Sequence, residues 1–356
     1  MRVSEDNRRR DRSLIRGVLE ALPDATLVIG EDDRVIAANA AARLLLPSLR
    51  QDELLARSLR SPDVLDSVAR VRAAHRGERV IWFEKVPVER SFEVSIAPFG
   101  DDGFEPALIL SLRDLTEARR LERMRVDFVA NASHELRTPL ASLLGFVETL
   151  QGPARDDAGA RTKFLTIMRE QAQRMSRLVD DLLSLSRIEQ HLHVHPETPV
   201  DLVGILRHIT DTLSPMADDR QVELNIVAPA EAVVAGDRDE LLRVAENLIE
   251  NAIKYGAADA ATKNKSVDIF IAIQGQQVVL TVRDYGPGIA LEHLPRLTER
   301  FYRVDAGESR AKGGTGLGLA IVKHIVARHR GRLNIESKQG EGASFSVLLP
   351  LFGARD

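Results

Sequence analysis

The chain has 356 residues, of which 44% are hydrophobic and 29% charged, with a formal net charge of −4. This composition predicts a globular protein of two or three domains, and the slightly acidic balance argues against nucleic acid as a partner. The absence of cysteine excludes disulfides and thiol catalysis. No apolar run approaches the ~18 residues of a membrane-spanning helix and no signal peptide is recognisable, so we expect a cytoplasmic protein.

Residues 1–13 are polar and rich in arginine. The pattern predicts a flexible basic N-terminal arm, with peripheral contact to an anionic membrane surface as the alternative. Residues 14–114 then mix short helical and strand patterns, which predicts a small α+β domain. The expected strands are 25–30, 35–38, 80–86, 92–98 and 107–112, and the expected helices are 14–22 and a second one that runs from the N-cap Asn39 to residue 46, with 100–103 as a hairpin loop. Trp82, Phe83 and Phe92 are expected in its core rather than around a cofactor.

Residues 115–190 carry two long stretches with apolar side chains three and four positions apart, the pattern of amphipathic helices. The first helix is expected at 115–150 and the second at 158–189. An antiparallel hairpin of two such helices cannot bury both apolar stripes by itself. Pairing of two hairpins in a homodimeric four-helix bundle solves this problem. The alternative is one hairpin packed on the other domains of its own chain.

A histidine followed by a glutamate stands on the first of these helices. His134 and Glu135 are followed by Arg137, Thr138 and Pro139. Because Pro139 lacks an N–H, it is expected to bend the helix just beyond the histidine, which could turn the imidazole toward another domain. Taken alone, the pair also fits an ordinary solvated helix face.

Three histidines alternate in the segment after the hairpin, at positions 191, 193 and 195. Imidazoles at this spacing face one way on a strand, so a metal site is conceivable. No cluster of Asp, Glu or Cys accompanies them, and a solvated linker is therefore the expected reading.

Residues 199–353 alternate between strand and helix patterns. The expected strands are 222–227, 233–235, 268–274, 277–284, 332–337 and 343–349, and the expected helices are 202–213, 237–255 and 316–329. Neither a GxxxxGK[ST] loop nor V-A-I-K and H-R-D elements occur in the chain. A Walker-type site and a eukaryotic protein-kinase fold are therefore excluded.

Four further motifs follow the histidine in a fixed order. They are NLIENAIKY at 247–255, DYGPGI at 284–289, ERFYRVD at 299–305 and GGTGLGL at 313–319. Together with the histidine segment they resemble the five boxes of sensor histidine kinases, and the resemblance covers about residues 121–351. The overall layout is similar to that of phosphate-regulon sensor kinases.

The resemblance implies a multidomain α+β fold. Residues 14–114 resemble a PAS sensor domain, residues 115–190 the dimeric four-helix-bundle hairpin that carries the phosphoacceptor, and residues 199–353 the α/β-sandwich ATP-binding domain. This last fold is shared with gyrase, a heat-shock chaperone and mismatch-repair ATPases, and has a mixed sheet covered by helices on one face.

The implied cofactors are ATP and Mg²⁺. Asn247 and Asn251 are four residues apart and share one helix face, and their amide oxygens suit a small hard cation. In the family, the asparagine that matches Asn251 is the more direct magnesium ligand. Lys254 is expected at a phosphate oxygen and Tyr255 beside the purine or ribose.

The remaining boxes imply contacts to the base and the phosphates. Asp284 is expected to accept a hydrogen bond from the adenine amino group, and Gly286 and Gly288 to let the backbone approach the base. Glycines at the start of a helix can hold phosphate oxygens through their N–H groups. The residues expected in this set are Ile289, Gly313, Gly314, Gly316, Leu317 and Gly318, with the hydroxyl of Thr315. Phe301 and Tyr302 would anchor a lid at 304–312, and either Arg303 or Arg310 would stabilise the γ-phosphate.

The implied reaction is autophosphorylation. His134 attacks the γ-phosphorus of ATP, Glu135 holds the other ring nitrogen and takes up the proton, and Arg137 belongs to the same catalytic segment. The phosphoryl group then passes to an aspartate of a response regulator, expected in trans because the chain carries no receiver domain. Thr138 matches the position that orients a hydrolytic water, which implies phosphatase activity. The alternatives are an ATPase clamp of the gyrase or chaperone type and a catalytically silent PAS scaffold.

Overall fold

The computed structural model describes residues 16–84, 89–99, 106–256, 265–305 and 314–353. The chain divides into two compact units, residues 1–129 and 130–356. The expected basic arm, the hairpin loop at 100–103, Arg310, Gly313 and most of the expected lid lie outside the described residues. Every helix in the described part of the chain is too short or too polar to cross a lipid bilayer.

The N-terminal unit contains five strands in one antiparallel sheet of order β2-β1-β5-β4-β3. The strands are β1 Ala25–Ile29, β2 Val35–Ala38, β3 Glu78–Glu84, β4 Arg90–Phe99 and β5 Ala107–Asp114, and the helices are α1 Ala40–Leu45, α2 Leu55–Ser58 and α3 Pro62–Ala74, besides helical residues 16–20. The expected strands therefore exist. Helices α2 and α3 are additions to the expected elements.

Asn39 joins the first hairpin to helix α1. Its Oδ1 accepts hydrogen bonds from Ala42 N at 2.9 Å and Thr26 N at 3.0 Å, and its Nδ2 donates to the carbonyls of Leu22 and Asp24. The side chain thus satisfies a free N–H of the helix start, and the predicted N-cap is confirmed.

Trp82 and Phe92 are buried and stack with ring centroids 5.0 Å apart, as expected for core residues. The expectation for Phe83 is wrong, because this side chain is 49% exposed. Successive residues of a strand point to opposite faces, so Phe83 leaves the core when Trp82 enters it. The guanidinium of Arg119 lies over its ring, 5.2 Å from the centroid.

Two long helices form the hairpin. Helix α4 is Thr116–Gln151 and helix α5 is Ala158–Gln190. The side chain of Asp157 caps α5 by accepting from Ala160 N at 2.9 Å. Helix α4 continues through Pro139, which is buried. Many apolar side chains of the hairpin stay exposed in the single chain, namely Leu121, Met124, Val126, Val129, Leu140, Leu144, Leu165, Val179 and Leu183.

The C-terminal part of the chain forms a mixed sheet of order β11-β12-β10-β9-β7, in which β7 is parallel to β9 and the other pairs are antiparallel. These strands are β7 Glu223–Val227, β9 Ser266–Gln274, β10 Gln277–Asp284, β11 Arg332–Lys338 and β12 Gly342–Pro350, while β6 Pro199–Asp201 pairs with β8 Val233–Ala235. Helices α6 Leu202–Asp219, α7 Arg238–Gly256 and α8 Gly318–Arg328 pack against this sheet. The predicted mixed sheet covered by helices is confirmed.

Candidate active site

A cavity of about 660 Å³ opens between helix α7, the end of strand β10, the glycine-rich segment before α8, and helix α5 of the hairpin. Its volume is within the usual range for a small-molecule site. The predicted residues on its wall are Asn247, Asn251, Lys254, Tyr255, Asp284, Gly288, Ile289, Arg303, Gly314, Thr315, Gly316 and Gly318. Gly286, Phe301 and Leu317 lie close by but do not line it.

Helix α7 presents both asparagines to the cavity. The amide nitrogen of Asn247 donates to the carbonyl of Arg243 at 2.8 Å, which leaves its oxygen as the group that can face a ligand. A Cβ on Gly318 would come within 2.3 Å of that oxygen. Only glycine therefore lets the start of α8 approach Asn247. Two amide oxygens on one wall of a cavity fit Mg²⁺, which prefers neutral and anionic oxygen ligands together with water.

Lys254 is nearly buried, with 9% of its side chain exposed, and its Nζ lies 2.6 Å from Glu250 Oε1. Glu246, one residue before Asn247, also lines the cavity. Burial raises the pKa of the Glu246 carboxyl, and the nearby charge of Glu250 raises it further. The cavity wall on α7 therefore combines a cation with two carboxylates, Glu246 and Glu250, to which the sequence analysis gave no role.

Asp284 ends strand β10 with only 6% of its surface exposed. Its Oδ1 accepts from Gly286 N at 3.0 Å and Ala343 N at 3.3 Å, so the carboxylate is held in a fixed orientation. Burial raises its pKa above the usual value, although the two N–H groups act in the opposite direction. A buried, oriented acceptor of this kind selects for a ligand that carries a donor.

The glycines after Asp284 approach backbone of the same chain. A Cβ on Gly288, whose φ is +70°, would lie 2.2 Å from the carbonyl oxygen of Lys338, and a Cβ on Gly286 would lie 2.8 Å from the carbonyl oxygen of Tyr255. Tight packing of the protein around this turn therefore demands both glycines.

The glycine-rich segment meets Phe301 through the backbone. Phe301 N donates to Gly316 O at 2.8 Å, and both residues have positive φ, +63° and +75°. A Cβ on Gly316 would lie 2.9 Å from Phe301 Cα. Helix α8 begins at Gly318, two residues later than expected, and its first residues line the cavity. The positive end of its dipole thus faces the cavity.

Helix α5 of the hairpin closes one side of the cavity with Arg177, Asp180 and Asp181. Asp181 Oδ1 lies 2.6 Å from Arg243 Nη2, and Asp181 Oδ2 accepts from the Thr315 hydroxyl at 2.7 Å. None of these hairpin residues, nor Arg243, belongs to a recognisable motif. Asp181 and Arg243 are 62 residues apart in the chain, so only the fold reveals the contact.

The histidine segment also contacts the edge of the cavity. Arg303 donates from both terminal nitrogens to Glu135, at 3.2 and 3.0 Å, and to the Gly314 carbonyl at 2.9 Å. Arg174 of α5 donates to the same carboxylate at 3.2 Å. Glu135 was expected to hold a ring nitrogen of its neighbour, but in this conformation two arginines hold its carboxylate. His134, Arg137 and Thr138 are exposed on the helix, and the Thr138 hydroxyl donates to the His134 carbonyl at 3.2 Å.

Two of the three alternating histidines, His191 and His195, contact carbonyl groups of their own chain. His195 Nδ1 lies 2.7 Å from the carbonyl of Arg328, and His191 Nδ1 lies 2.8 Å from that of Arg187. Across the described residues, no group of three His, Cys, Asp or Glu side chains could hold a metal ion.

Comparison with known domains and proteins gives a consistent family. The model of the histidine kinase-, DNA gyrase B- and HSP90-like ATPase matches residues 236–353, the His Kinase A (phospho-acceptor) domain matches 124–191, and the PAS fold matches 19–120. The phosphate regulon sensor protein PhoR of Pseudomonas aeruginosa is 40% identical over 238 residues, which are 67% of this chain and 53% of PhoR. The chain belongs to the sensor histidine kinases.

Other sensor kinases align over a similar part of the chain. The sensor protein kinase WalK of Staphylococcus saprophyticus is 37% identical over 253 residues, which are 70% of this chain and 40% of WalK. The chain thus spans about half or less of the length of these relatives. The solved structure of histidine kinase ThkA in complex with response regulator protein TrrA covers 94% of this chain and 98% of that chain at 22% identity, with a TM-score of 0.50. This is a likeness of fold.

Proposed function

We propose that this sensor histidine kinase uses ATP to phosphorylate His134 and then passes the phosphoryl group to an aspartate of a separate response regulator. The observation that supports this most directly is the connection between cavity and histidine segment. Arg303 lines the cavity and at the same time binds Glu135, the residue next to His134. An ATPase clamp of the gyrase type gives no role to a histidine-bearing hairpin beside the nucleotide cavity, and a silent scaffold gives none to the cavity.

The proposed nucleotide contacts follow the cavity wall. Asp284 accepts from the adenine amino group, and Tyr255 and Ile289 flank the base or ribose. Lys254, Thr315 and the N–H groups of residues 314, 316 and 318 hold phosphate oxygens. Asn251 and Asn247 hold Mg²⁺, which when bound offsets phosphate charge. Gly288 lets the backbone approach the base at the cavity wall, and Gly286, Phe301 and Leu317 support the wall from behind. Arg310 lies outside the described residues, so the choice between Arg303 and Arg310 at the γ-phosphate stays open.

The proposed transfer step is an in-line displacement. A neutral His134 nitrogen bonds to the γ-phosphorus while the bond from phosphorus to the bridging oxygen breaks, and ADP leaves with the electron pair. Glu135 takes up the imidazole proton. To do so, its carboxylate must first release Arg303 and then bind the ring of His134. Arg137 supports the segment, and Thr138 orients a water for hydrolysis of the phosphorylated regulator.

We further propose the domain limits 14–114 for the PAS-like domain, 115–190 for the phosphoacceptor hairpin and 199–353 for the ATP-binding domain, after a flexible arm at 1–13. The exposed leucines of α4 and α5 support a homodimer through the hairpin. Since the reaction requires ATP, we place it in the cytoplasm.

Incubation with γ-labelled ATP tests the proposal. The wild-type chain is expected to acquire label that acid removes and alkali does not, as phosphohistidine does. His134→Ala should abolish the label, and Asn251→Ala should abolish both label and ATP turnover. The matched control His193→Ala, in the linker, should label normally. Label that survives in the His134→Ala chain would eliminate the assignment.

A further inference from the structure

Two carboxylates of the hairpin bind side chains at the place where we propose that the nucleotide's phosphates lie. Glu135 of α4 binds Arg303, and Asp181 of α5 binds both Arg243 and the Thr315 hydroxyl. Arg243, Asn247 and Asn251 are spaced by four residues on α7 and all line the cavity, so Arg243 extends the face proposed for phosphate and metal. Thr315 lies in the segment proposed to hold phosphate oxygens.

We propose that Asp181 is a built-in competitor of the nucleotide's phosphates: the arrangement in which Asp181 binds Arg243 and Thr315 and the nucleotide-bound arrangement exclude each other. Binding of ADP or ATP therefore moves Asp181 of helix α5 away from Arg243 and Thr315, and the hairpin must dock differently when His134 is phosphorylated. This inference rests on the proposed nucleotide site. It adds a regulatory role for Asp181 and a phosphate-binding role for Arg243.

The contacts of Asp181 resemble those of a phosphate. Like a phosphate, its carboxylate presents two anionic oxygens, one to a guanidinium at 2.6 Å and one to a hydroxyl at 2.7 Å. Charge-assisted bonds of this length are stronger than neutral ones. The Asp181 and Arg243 side chains are only 18% and 27% exposed, so solvent screens their attraction less than that of a surface pair.

Simultaneous binding is unfavourable for two reasons. The Thr315 hydroxyl has one proton to donate, so it cannot serve Asp181 and a phosphate together. In addition, a triphosphate beside Asp180 and Asp181, which both line the cavity, would bring like charges together at low dielectric. A ligand that binds only the undocked conformation must shift the equilibrium between docked and undocked molecules. Its apparent affinity is then the intrinsic affinity multiplied by the fraction of undocked molecules.

Removal of the Asp181 charge tests the competition. We expect Asp181→Asn to bind ADP about tenfold more tightly than wild type in calorimetric titration of the full chain with Mg²⁺. Adenosine, which has no phosphates, should bind the two proteins equally. The matched control is Asp156→Asn, the same change at an exposed carboxylate between α4 and α5 that does not line the cavity. It should stay within about twofold of wild type. Unchanged or weaker ADP binding in Asp181→Asn would overturn the inference.

A cross-link tests the geometry independently. Because the chain has no cysteine, a disulfide between Asp181→Cys and Thr315→Cys would be the only one present. The oxidised double variant should lose ADP binding and recover it on reduction, while Thr315→Cys alone should respond to neither treatment. Failure of the bond to form within one chain, or unchanged ADP binding after oxidation, would contradict the inference. If wild type itself binds no ADP, the proposed function fails as well.

Discussion

Asp284 is a buried carboxylate with one oxygen fixed by two backbone N–H groups. Replacement by asparagine preserves the shape but presents an N–H₂ group where the proposed contact with the adenine amino group needs an acceptor. We expect Asp284→Asn to weaken ADP binding roughly 5- to 150-fold, since an unpaired buried polar group costs about 1–3 kcal/mol. Calorimetric titration measures this directly.

The matched control for Asp284 is Asp268→Asn. Asp268 lies on the neighbouring strand and accepts from Tyr285 and Asn225 outside the cavity. Its replacement should leave ADP affinity unchanged. Equal loss in both variants would mean that the sheet, rather than the adenine contact, responds to the change.

His329 joins the end of helix α8 to the start of α7 and is buried. Its Nε2 accepts from Asp237 N at 3.0 Å, and its Nδ1 donates to the Ile325 carbonyl at 2.8 Å, so the neutral ring is required. Burial holds the pKa of His329 below its usual value, and the charge of Arg328 acts in the same direction. The unfolded chain therefore takes up a proton near pH 6.5 that the folded chain refuses until lower pH.

We expect this histidine to destabilise the fold as the pH falls. Its contribution is fully present above about pH 6.5 and is lost as the pH drops through the lowered pKa. Between pH ~7.5 and ~5.5 wild type should lose on the order of 1 kcal/mol more than His329→Gln in urea unfolding followed by circular dichroism. Burial also lowers the pKa of His324, but this residue is present in both proteins and its effect cancels in the difference. An identical pH dependence in the two proteins would refute the role of His329.

The residues with chemistry could be found from the sequence only where a motif marks them. Asn247, Asn251 and Asp284 stand in boxes, and the structure brings them to one cavity. Asp181 and Arg243 stand in no box, and their contact depends on how the hairpin docks on α7. Long-range packing of this kind leaves no local pattern.

At the scale of elements, Gly316 determines how the glycine-rich segment meets Phe301. Alanine at this position must adopt φ near +75° and bring its Cβ within 2.9 Å of Phe301 Cα. We expect Gly316→Ala to lose about 1–2 kcal/mol of stability from the backbone conformation alone, and to weaken ADP binding because the cavity wall must shift. Thermal unfolding and calorimetric titration measure the two effects.

Gly340→Ala is the control that separates the strain of a positive φ from the steric clash with Phe301. Gly340 also has positive φ, +84°, but its Cβ would meet nothing within 4 Å. This variant should show a similar loss of stability with normal ADP binding. Weakened binding in Gly340→Ala to the same degree would remove the specific role of the Gly316–Phe301 approach.

Strand and helix positions in the C-terminal domain agree with expectation to within one or two residues at most ends, because buried strands and amphipathic helices leave strong periodic signals. Helix α6 is the exception, since it continues past the expected residue 213 and through Pro215 to Asp219. Helix α3 was missed, although Pro62 at its start and the buried Val64, Val68 and Val71 carry helical spacing. Phe83 was misplaced because a run of apolar residues on a strand does not reveal which face is buried.

At the scale of the molecule, the hairpin leaves many large apolar side chains exposed in the single chain. Leu140 and Leu144 are four residues apart on α4 and are 48% and 57% exposed. We expect Leu144→Glu to convert the proposed dimer to monomer, since it puts a charge into an apolar interface. Light scattering on a sizing column measures the mass. Leu291→Glu, at a site 79% exposed in the ATP-binding domain, should remain dimeric, and a dimeric Leu144→Glu chain would rule out this face.

The position of Trp82, stacked on Phe92 in the N-terminal unit, has a practical consequence for spectroscopy. Trp82 is the sole tryptophan of the chain and lies in the N-terminal unit, whereas all three tyrosines, at 255, 285 and 302, lie in the C-terminal unit. Tryptophan fluorescence, excited at the long-wavelength edge, therefore reports on the sheet of the N-terminal unit alone. Tyrosine absorbance reports on the C-terminal unit, so each of the two units has an intrinsic spectroscopic probe of its own.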